Sequence, residues 1–173
     1  ADVAGAVSVV DSSAILRDRT VGLHEALRTM PGVQVASRYG TYDVNIGIRG
    51  SAARTSQAVR GVAVLLDGVP LTQPEGRTRV DIIEPAAARQ IEVVRGPASA
   101  LHSASTGGVV NVVSRTGRDS RGTTVRVQGG GFGFRKVDAR AGGVFAGGRG
   151  SGLAAGSYTS TDGYRAHSAA DVA

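Results

Sequence analysis

The sequence has no cysteine, few aromatic residues and only three histidines. Without cysteine, the chain has neither disulfides nor Cys-ligated metals to stabilise it. The histidines lie far apart and lack the spacing of metal ligands, and no nucleophile-elbow motif is present. We therefore expect that the protein is not an enzyme and holds neither a metal nor another cofactor.

Lysine and long apolar runs are also scarce. No stretch approaches the roughly 18 apolar residues of a membrane helix, so any crossing of a membrane would have to use strands. The net charge is +6, with +2 in residues 1–117 and +4 in residues 118–173. Because the arginines are scattered and not interleaved with aromatics, we expect no nucleic-acid partner.

Glycine is abundant, with 26 of 173 residues, which favours turns and close backbone approaches over long helices. Short apolar runs bounded by turn residues predict a series of strands in the first two-thirds of the chain. The Asp67-Gly68 pair between two apolar runs predicts a tight turn. The predicted strands are 6–10, 33–35, 46–49, 62–66, 91–94 and 109–113.

One helix is predicted over residues 21–30, with Thr20 as its N-cap and Pro31-Gly32 as its end. His24 is expected at the surface or edge of that helix. Residues 11–13 are expected to break the first strand. A shorter helical turn is predicted over 83–89, and loops over 36–45, 50–60 and 71–80.

The pattern changes after about residue 117. Apolar and polar residues then alternate regularly, with Gly-rich turns at 129–134 and 146–150, which predicts about three antiparallel strands. Strands of a membrane barrel alternate in this way. A soluble antiparallel sheet has the same alternation, so the pattern alone leaves both open. The alternating apolar positions are Val125, Val127, Val137, Ala139, Ala141 and Phe145.

Three segments resemble the plug domain of TonB-dependent outer-membrane receptors, in the family's order and spacing. The first is the helix with its Met30-Pro31-Gly32-Val33 end. The second is Ile48-Arg49-Gly50 followed by Val64-Leu65-Leu66-Asp67-Gly68-Val69-Pro70. The third is Ile91-Glu92-Val93-Val94-Arg95-Gly96-Pro97, closed by Gly107-Gly108-Val109-Val110-Asn111-Val112-Val113.

The resemblance implies an α+β plug domain over 1–117, with a small mixed sheet and short helices. It implies that 118–173 begins an outer-membrane β-barrel, of which this sequence holds about three strands. Since three strands cannot close a barrel, and open edges in lipid leave amides unpaired, the sequence is expected to be part of a longer protein.

The implied function is TonB-energised uptake of a ferric siderophore or a similar chelated nutrient, with vitamin B12 as a variant cargo. The implied location is the outer membrane of a Gram-negative bacterium, with the plug inside the barrel lumen. The implied partners are the chelate, TonB with its inner-membrane energising complex, and membrane lipid around the barrel. The family's TonB-contacting peptide lies upstream of the first plug strand, and nothing similar is visible before Val7.

The resemblance also implies roles for individual residues. Arg49 and Arg95 are expected to form ion pairs with glutamates of the inner barrel wall. Two apical loops are expected to contribute to ligand binding through Arg38, Tyr39, Tyr42, Gln73, Arg77 and Arg79. The motif residues expected to be structural are Gly50, Asp67, Gly68, Glu92, Gly96, Pro97, Gly107, Gly108 and Asn111.

One stretch departs from the family pattern. His102-Ser103-Ala104-Ser105-Thr106 stands where the family usually has Tyr-Gly, and it is about one residue shorter, which puts the local turn in doubt.

A competing interpretation of the whole sequence is a self-contained soluble α+β binding module with an extra β-hairpin.

Overall fold

The computed structural model describes residues 6–17, 22–37, 44–48, 61–71, 80, 82–96, 107–163 and 170–172. The chain divides into two compact units. Unit 1 comprises Ala1–Ile83 and Ala88–Ser114, and unit 2 comprises Glu84–Ala87 and Arg115–Ala173. Each unit has its own sheet, and the two sheets differ in how they place apolar side chains.

Unit 1 is organised by a five-stranded mixed sheet in the order β1-β6-β7-β4-β5. Strand β7 runs parallel to β4 and antiparallel to β6, which in turn runs antiparallel to β1. The predicted strands in this part of the chain are confirmed. The strands are β1 Ala6–Asp11, β4 Val62–Leu66, β5 Val69–Pro70, β6 Ala88–Arg95 and β7 Gly108–Ser114.

A short helix, α1 (Ser12–Arg17), follows β1 directly, where the sequence predicted only a break. Asp11 caps it, because its Oδ1 accepts hydrogen bonds from the Ala14 amide (2.8 Å) and the Ser13 hydroxyl (2.7 Å). These two donors hold the pKa of Asp11 below its usual value. The same Asp and Ser residues that interrupt a strand thus begin a helix, which buries Ile15.

The predicted helix at 21–30 is shorter than expected, since α2 spans Leu23–Arg28. Its N-cap is Gly22 and not Thr20, and no side chain caps it. Pro31 and Gly32 follow its end as predicted, with Gly32 in the left-handed region at φ 75°.

His24 is buried, with 8% of its surface exposed, so its predicted surface position is wrong. The reason is that four of the six residues of α2 are buried. Leu23, Ala26 and Leu27 are buried with it, which leaves too narrow an exposed face for His24. Burial lowers the pKa of His24 because the charged imidazolium loses its hydration.

A separate two-stranded sheet pairs β2 (Val33–Ser37) with β3 (Val44–Ile48) in antiparallel register. The predicted loop at 36–45 is therefore too long at both ends, because residues 36–37 and 44–45 belong to the strands. Val33 and Val35 pack against the core from β2, while Ile46 and Ile48 are fully buried in β3.

One face of the unit 1 sheet forms the hydrophobic core together with α1, α2 and β3. Each fully buried aliphatic side chain contributes about 1.5–3 kcal/mol relative to exposure. This apolar burial is the main stabilisation of the unit. Its fully buried members include Leu27, Ile46, Ile48, Val64, Ile91, Val93 and Val110.

Unit 2 is a four-stranded antiparallel sheet in the order β11-β10-β9-β8. The three predicted strands are present as β8 (Gly122–Gly129), β9 (Arg135–Phe145) and β10 (Gly150–Thr161). A fourth, short strand, β11 (Ala170–Val172), extends the sheet by pairing with the end of β10.

Two short segments pack on this sheet within unit 2. The segment Glu84–Ala87 contains a 3-10 turn at Pro85–Ala87, where a helical turn was predicted. Its last carbonyl, on Ala87, accepts a 2.8 Å hydrogen bond from the Arg115 amide. The second segment is the turn at 116–121, whose Gly117 lies against the Gly143 and Gly152 backbones so closely that a side chain would not fit.

The predicted fold class is confirmed: a mixed sheet with short helices is followed by antiparallel strands. In the part of the chain that the structure describes, no helix has the length and apolar character needed to cross a membrane.

Candidate functional site

The Asp67-Gly68 turn joins β4 to β5 as a two-residue hairpin. Both residues have positive φ, 51° for Asp67 and 82° for Gly68, which is the geometry of a type I′ turn. The Asp67 carboxylate accepts a 2.7 Å hydrogen bond from the Ser114 amide, and the Asp67 amide donates to the Val112 carbonyl at 2.9 Å. The turn is therefore tied to the end of β7.

Asn111 links this turn to β6. Its Oδ1 accepts a 3.1 Å hydrogen bond from the Gly68 amide, and its Nδ2 donates to Glu92 Oε2 at 3.1 Å. Asn111 and Glu92 are direct cross-strand partners. Gln90 Nε2 donates to the other Glu92 oxygen at 2.5 Å. Four of the predicted motif residues, Asp67, Gly68, Glu92 and Asn111, thus form one polar network on the sheet face opposite the core.

Gly107 and Gly108 begin β7 where backbone segments lie close together. The Gly107 amide donates to the Gly61 carbonyl at 2.7 Å. A Cβ on Gly108 would lie 2.5 Å from the Val94 carbonyl oxygen and 2.9 Å from Ile48 Cδ1. Only glycine fits there without moving a backbone, which explains this part of the motif. Gly96 directly follows β6 at φ 110°, a left-handed conformation that favours glycine.

Arg95, at the end of β6, is half-buried and contacts two other parts of unit 1. One guanidinium nitrogen donates to the Pro31 carbonyl at 2.6 Å, and the other donates to the Ser8 hydroxyl. Arg95 therefore links the turn after α2 to β1 by hydrogen bonds. The expected ion pair with a barrel glutamate stays a prediction.

Several of the predicted site residues lie outside the described residues. These are the candidate ligand contacts Arg38, Tyr39, Tyr42, Gln73, Arg77 and Arg79, together with Arg49, Gly50 and Pro97. Their roles also stay predictions.

Most large apolar side chains in the described strands of unit 2 are exposed. We call this side the apolar face, defined by Val125, Val127, Val137, Phe145 and Tyr158, which are 41–74% exposed. Tyr158 pairs with Val137, eight residues along β9 from Phe145. The two aromatic positions are therefore about 27 Å apart along the strand. Strands of outer-membrane barrels carry an apolar band of about 25 Å flanked by aromatic residues.

The opposite side, which we call the polar face, buries charge. Lys136 and Asp138 form an ion pair of 3.0 Å, with side chains only 2% and 8% exposed. Asp138 also has two cross-strand partners, Arg126 on β8 and Ser157 on β10. Lys136 and Asp138 stand between the alternating apolar positions of the sequence, but the alternation did not reveal their pairing. The signal of that pairing is two opposite charges spaced i, i+2 in a strand.

Glu84 holds its segment to the polar face through one carboxylate oxygen, and the other oxygen bonds within the segment. Oε2 accepts a 2.6 Å hydrogen bond from the Ser157 hydroxyl, and Oε1 accepts one from the Ala86 amide at 3.0 Å. Sequence reasoning missed this contact, because no local pattern relates residues 73 positions apart.

Comparison with known proteins matches this organisation. The family model described as "TonB-dependent Receptor Plug Domain" matches residues 1–110. Two vitamin B12 transporters, both named BtuB, from Vibrio vulnificus are similar in sequence. The one from strain CMCP6 is 26% identical over 132 residues, covering 75% of this chain and 21% of that protein. The one from strain YJ016 is 33% identical over 113 residues, covering 64% and 18%.

Solved structures share the fold. The alcaligin outer-membrane receptor FauA from Bordetella pertussis has a TM-score of 0.72 at 20% identity, covering 93% of this chain and 27% of that chain. The ferripyoverdine receptor of the Pseudomonas aeruginosa outer membrane has a TM-score of 0.68 at 18% identity, covering 91% and 20%. The chain spans about a fifth of the length of the curated relatives it matches. The match over residues 1–110 establishes that the chain belongs to the TonB-dependent receptor plug domain family.

Proposed function

We propose that the chain is the N-terminal part of an outer-membrane receptor that imports a chelated nutrient, using energy supplied through TonB. Unit 1 would form most of the plug that occludes the lumen, and strands β8–β11 of unit 2 would begin the barrel wall. We propose a domain boundary at 117, as the sequence indicates. The remaining barrel strands would come from the rest of a longer protein.

The observation that carries this proposal is the inverted polarity of unit 2. A strand wall between lipid and a plugged lumen needs apolar residues outside and polar residues inside. The apolar face and the buried Lys136–Asp138 pair have this arrangement. A self-contained soluble module would bury its apolar residues, so this polarity supports the receptor over that alternative.

The proposed ligand is a ferric siderophore, bound where the apical loops of the plug meet the outside. The arginines of those loops would suit an anionic chelate. Cobalamin is the second candidate, because the relatives named above are vitamin B12 transporters. In either case the metal would arrive inside its chelate, so the protein itself would need neither a metal site nor catalytic residues.

The test is uptake in a Gram-negative strain lacking the full-length receptor, with and without the restored gene. Uptake of labelled ferric siderophores and labelled cobalamin is measured in parallel, in the presence and absence of TonB. We expect TonB-dependent uptake of one of the two classes. If the restored gene increases neither, the proposed function is wrong.

The proposed ion pairs are tested in the same assay with Arg49→Ala and Arg95→Ala. Loss of a partner from a desolvated ion pair costs about 3–5 kcal/mol, enough to change how readily the plug moves. Ser8→Ala is the matched control, because it removes one contact of Arg95 inside unit 1 and leaves both arginines in place. Uptake that is unchanged in Arg49→Ala and Arg95→Ala would contradict the ion pairs.

A further inference from the structure

The two ends of the unit 2 sheet carry different charges. At one end β8 begins, and the turn from β9 to β10 closes at 146–149. Exposed Arg118, Arg121 and Arg149 lie at this end, which we call the arginine end. Its acidic neighbour Asp119 is already engaged, because its carboxylate accepts hydrogen bonds from the amide and hydroxyl of Thr116.

The opposite end is not basic among the residues that the structure describes there. Exposed Arg135 is accompanied by exposed Asp162 and Asp171. Tyr158 donates a 3.3 Å hydrogen bond to Asp171, so a carboxylate stands beside the aromatic residue at this end. Among the residues that the structure describes, the arginine end is therefore the more basic of the two ends.

The arginine end continues the apolar face. Phe145 is 61% exposed and lies at the last position of β9. Arg121 directly precedes β8. Because it lies an even number of residues before Val125 and Val127, it falls on the same face of the strand as they do. An exposed arginine just beyond an apolar band with a terminal aromatic residue lies at the depth of lipid headgroups in a membrane wall.

The arginine end is also held in place. Arg118 donates to the Gly148 carbonyl, which joins the segment before β8 to the turn between β9 and β10. Gly142 is so close to the Ser120 carbonyl that a side chain would not fit between them. These contacts fix the segments that carry Arg121 and Arg149 relative to each other.

The lengths of the connections indicate which leaflet this end meets. The connection at the arginine end has four residues, 146–149, whereas those at the opposite end have five, 130–134, and eight, 162–169. Outer-membrane barrels have short turns on the periplasmic side and longer loops outside. The arginine end therefore corresponds to the periplasmic leaflet, which consists of phospholipid.

We propose that Arg121 and Arg149, with Arg118 beside them, bind the phosphate groups of anionic phospholipids in the periplasmic leaflet. This inference rests on the proposed function, because it needs unit 2 to be part of a membrane wall. A guanidinium presents paired N–H donors that match phosphate oxygens. The site would fix the height of the first barrel strands in the bilayer.

The test uses the purified full-length receptor in detergent, titrated with phosphatidylglycerol and followed by native mass spectrometry. Phosphatidylcholine with the same acyl chains is the zwitterionic control, and lipid A represents the outer leaflet. We expect phosphatidylglycerol to bind more tightly than phosphatidylcholine. The double variant Arg121→Gln/Arg149→Gln should bind phosphatidylglycerol about fivefold more weakly for each arginine lost.

Two matched variants control for the position of the arginines and for their charge. Arg135→Gln removes an exposed arginine from the opposite end and should change phosphatidylglycerol affinity less than twofold. Arg121→Lys/Arg149→Lys keeps the charge and should retain most of the binding. Equal affinity for the double glutamine variant and the parent would overturn the proposal, as would an equal loss in Arg135→Gln. A loss confined to lipid A would overturn the assignment to the periplasmic leaflet.

Chelate binding is measured on the same preparations. If no preparation binds a siderophore or cobalamin, yet phosphatidylglycerol binding depends on the arginines, the proposed function fails and the lipid site stands. If chelate binding persists while the glutamine variant keeps full phosphatidylglycerol affinity, only the lipid site fails.

Discussion

Units 1 and 2 are built from strands with the same two-residue repeat, yet they bury opposite kinds of side chain. In unit 1, Val93 and Val110 are fully buried, and the network of Glu92 and Asn111 lies on the other face of the sheet. In unit 2, Val127 is 74% exposed and Lys136 is 2% exposed. Periodicity identifies which residues share a face of a strand, but the surroundings decide which face is buried.

The same substitution, valine to alanine, made once in each unit is the most direct test of whether the two units bury opposite kinds of side chain. Val93→Ala should lower the free energy of unfolding of unit 1 by about 2–3 kcal/mol, because it removes buried methyl groups and leaves a cavity. Val127→Ala should change the stability of unit 2 by less than about 0.5 kcal/mol in the lipid-free chain. Hydrogen exchange at the amides of β6 and of β8 measures each effect in its own unit.

Equal protection losses in the two variants would contradict the inverted polarity. Val125→Ala, at a second exposed position of β8, tests whether the result for Val127 applies to the whole face.

A second substitution probes the polar network on the face of the unit 1 sheet opposite its core. Asn111→Asp preserves the shape and the acceptor for the Gly68 amide, but it places a carboxylate 3.1 Å from the Glu92 carboxylate. The loss of a hydrogen bond to a charged group and the added repulsion should cost about 2 kcal/mol. The urea midpoint of the chain measures the loss.

The rescue variant is Asn111→Asp/Glu92→Gln, which reverses the direction of the hydrogen bond. We expect it to recover at least half of the lost stability. A double variant no more stable than Asn111→Asp alone would show that the cross-strand contact is not what Asn111 contributes.

The smallest expected effect is a pH dependence specific to unit 1. Burial lowers the pKa of His24 below its ordinary value of about 6.5, and this shift is opposed by Glu25 and assisted by Arg28. The unfolded chain therefore binds the proton first as the pH falls. Stability should be complete above pH 6.5, decline as the pH drops below it, and level off beneath the folded-state pKa.

Urea unfolding between pH 7.5 and 5 measures this dependence, and His24→Gln should remove its part of the slope. An identical slope in His24→Gln would assign the pH dependence to other groups. The exchange of β9 amides, in unit 2, should be unaffected by the substitution once the intrinsic pH dependence of exchange is subtracted.

Local chemistry explains which parts of the fold the sequence predicted. Asp67-Gly68 between two apolar runs specifies a type I′ turn almost by itself, and Pro31 prevents α2 from continuing. The start of α1 was missed because Asp11 and Ser13 both interrupt strands and cap helices, and only the tertiary position of Ile15 distinguishes the two. His24 was misplaced because six residues of helix are too few to show a period.

For the candidate site too, the sequence predicted some features and missed others. The motif residues were identified by their order in the chain, but their joining into one network depends on the parallel pairing of β4 with β7, which no local pattern encodes. The polarity of unit 2 could not be predicted, because alternation is symmetrical with respect to the two faces. The pairing of the three-residue strand β11 with the end of β10 was missed because so short a strand has no detectable repeat.

The contact between Phe145 and Gly150 has a consequence for strand register. These residues are cross-strand partners, and the Phe145 ring occupies the space where a side chain on Gly150 would be. If β9 slipped by one residue against β10, the ring would lose this glycine and every side chain of β9 would change sides. If unit 2 is part of the proposed barrel wall, Lys136 and Asp138 would then face lipid, where charged side chains are destabilising. The packing of one aromatic ring over one glycine thus favours the observed register of β9 against β10.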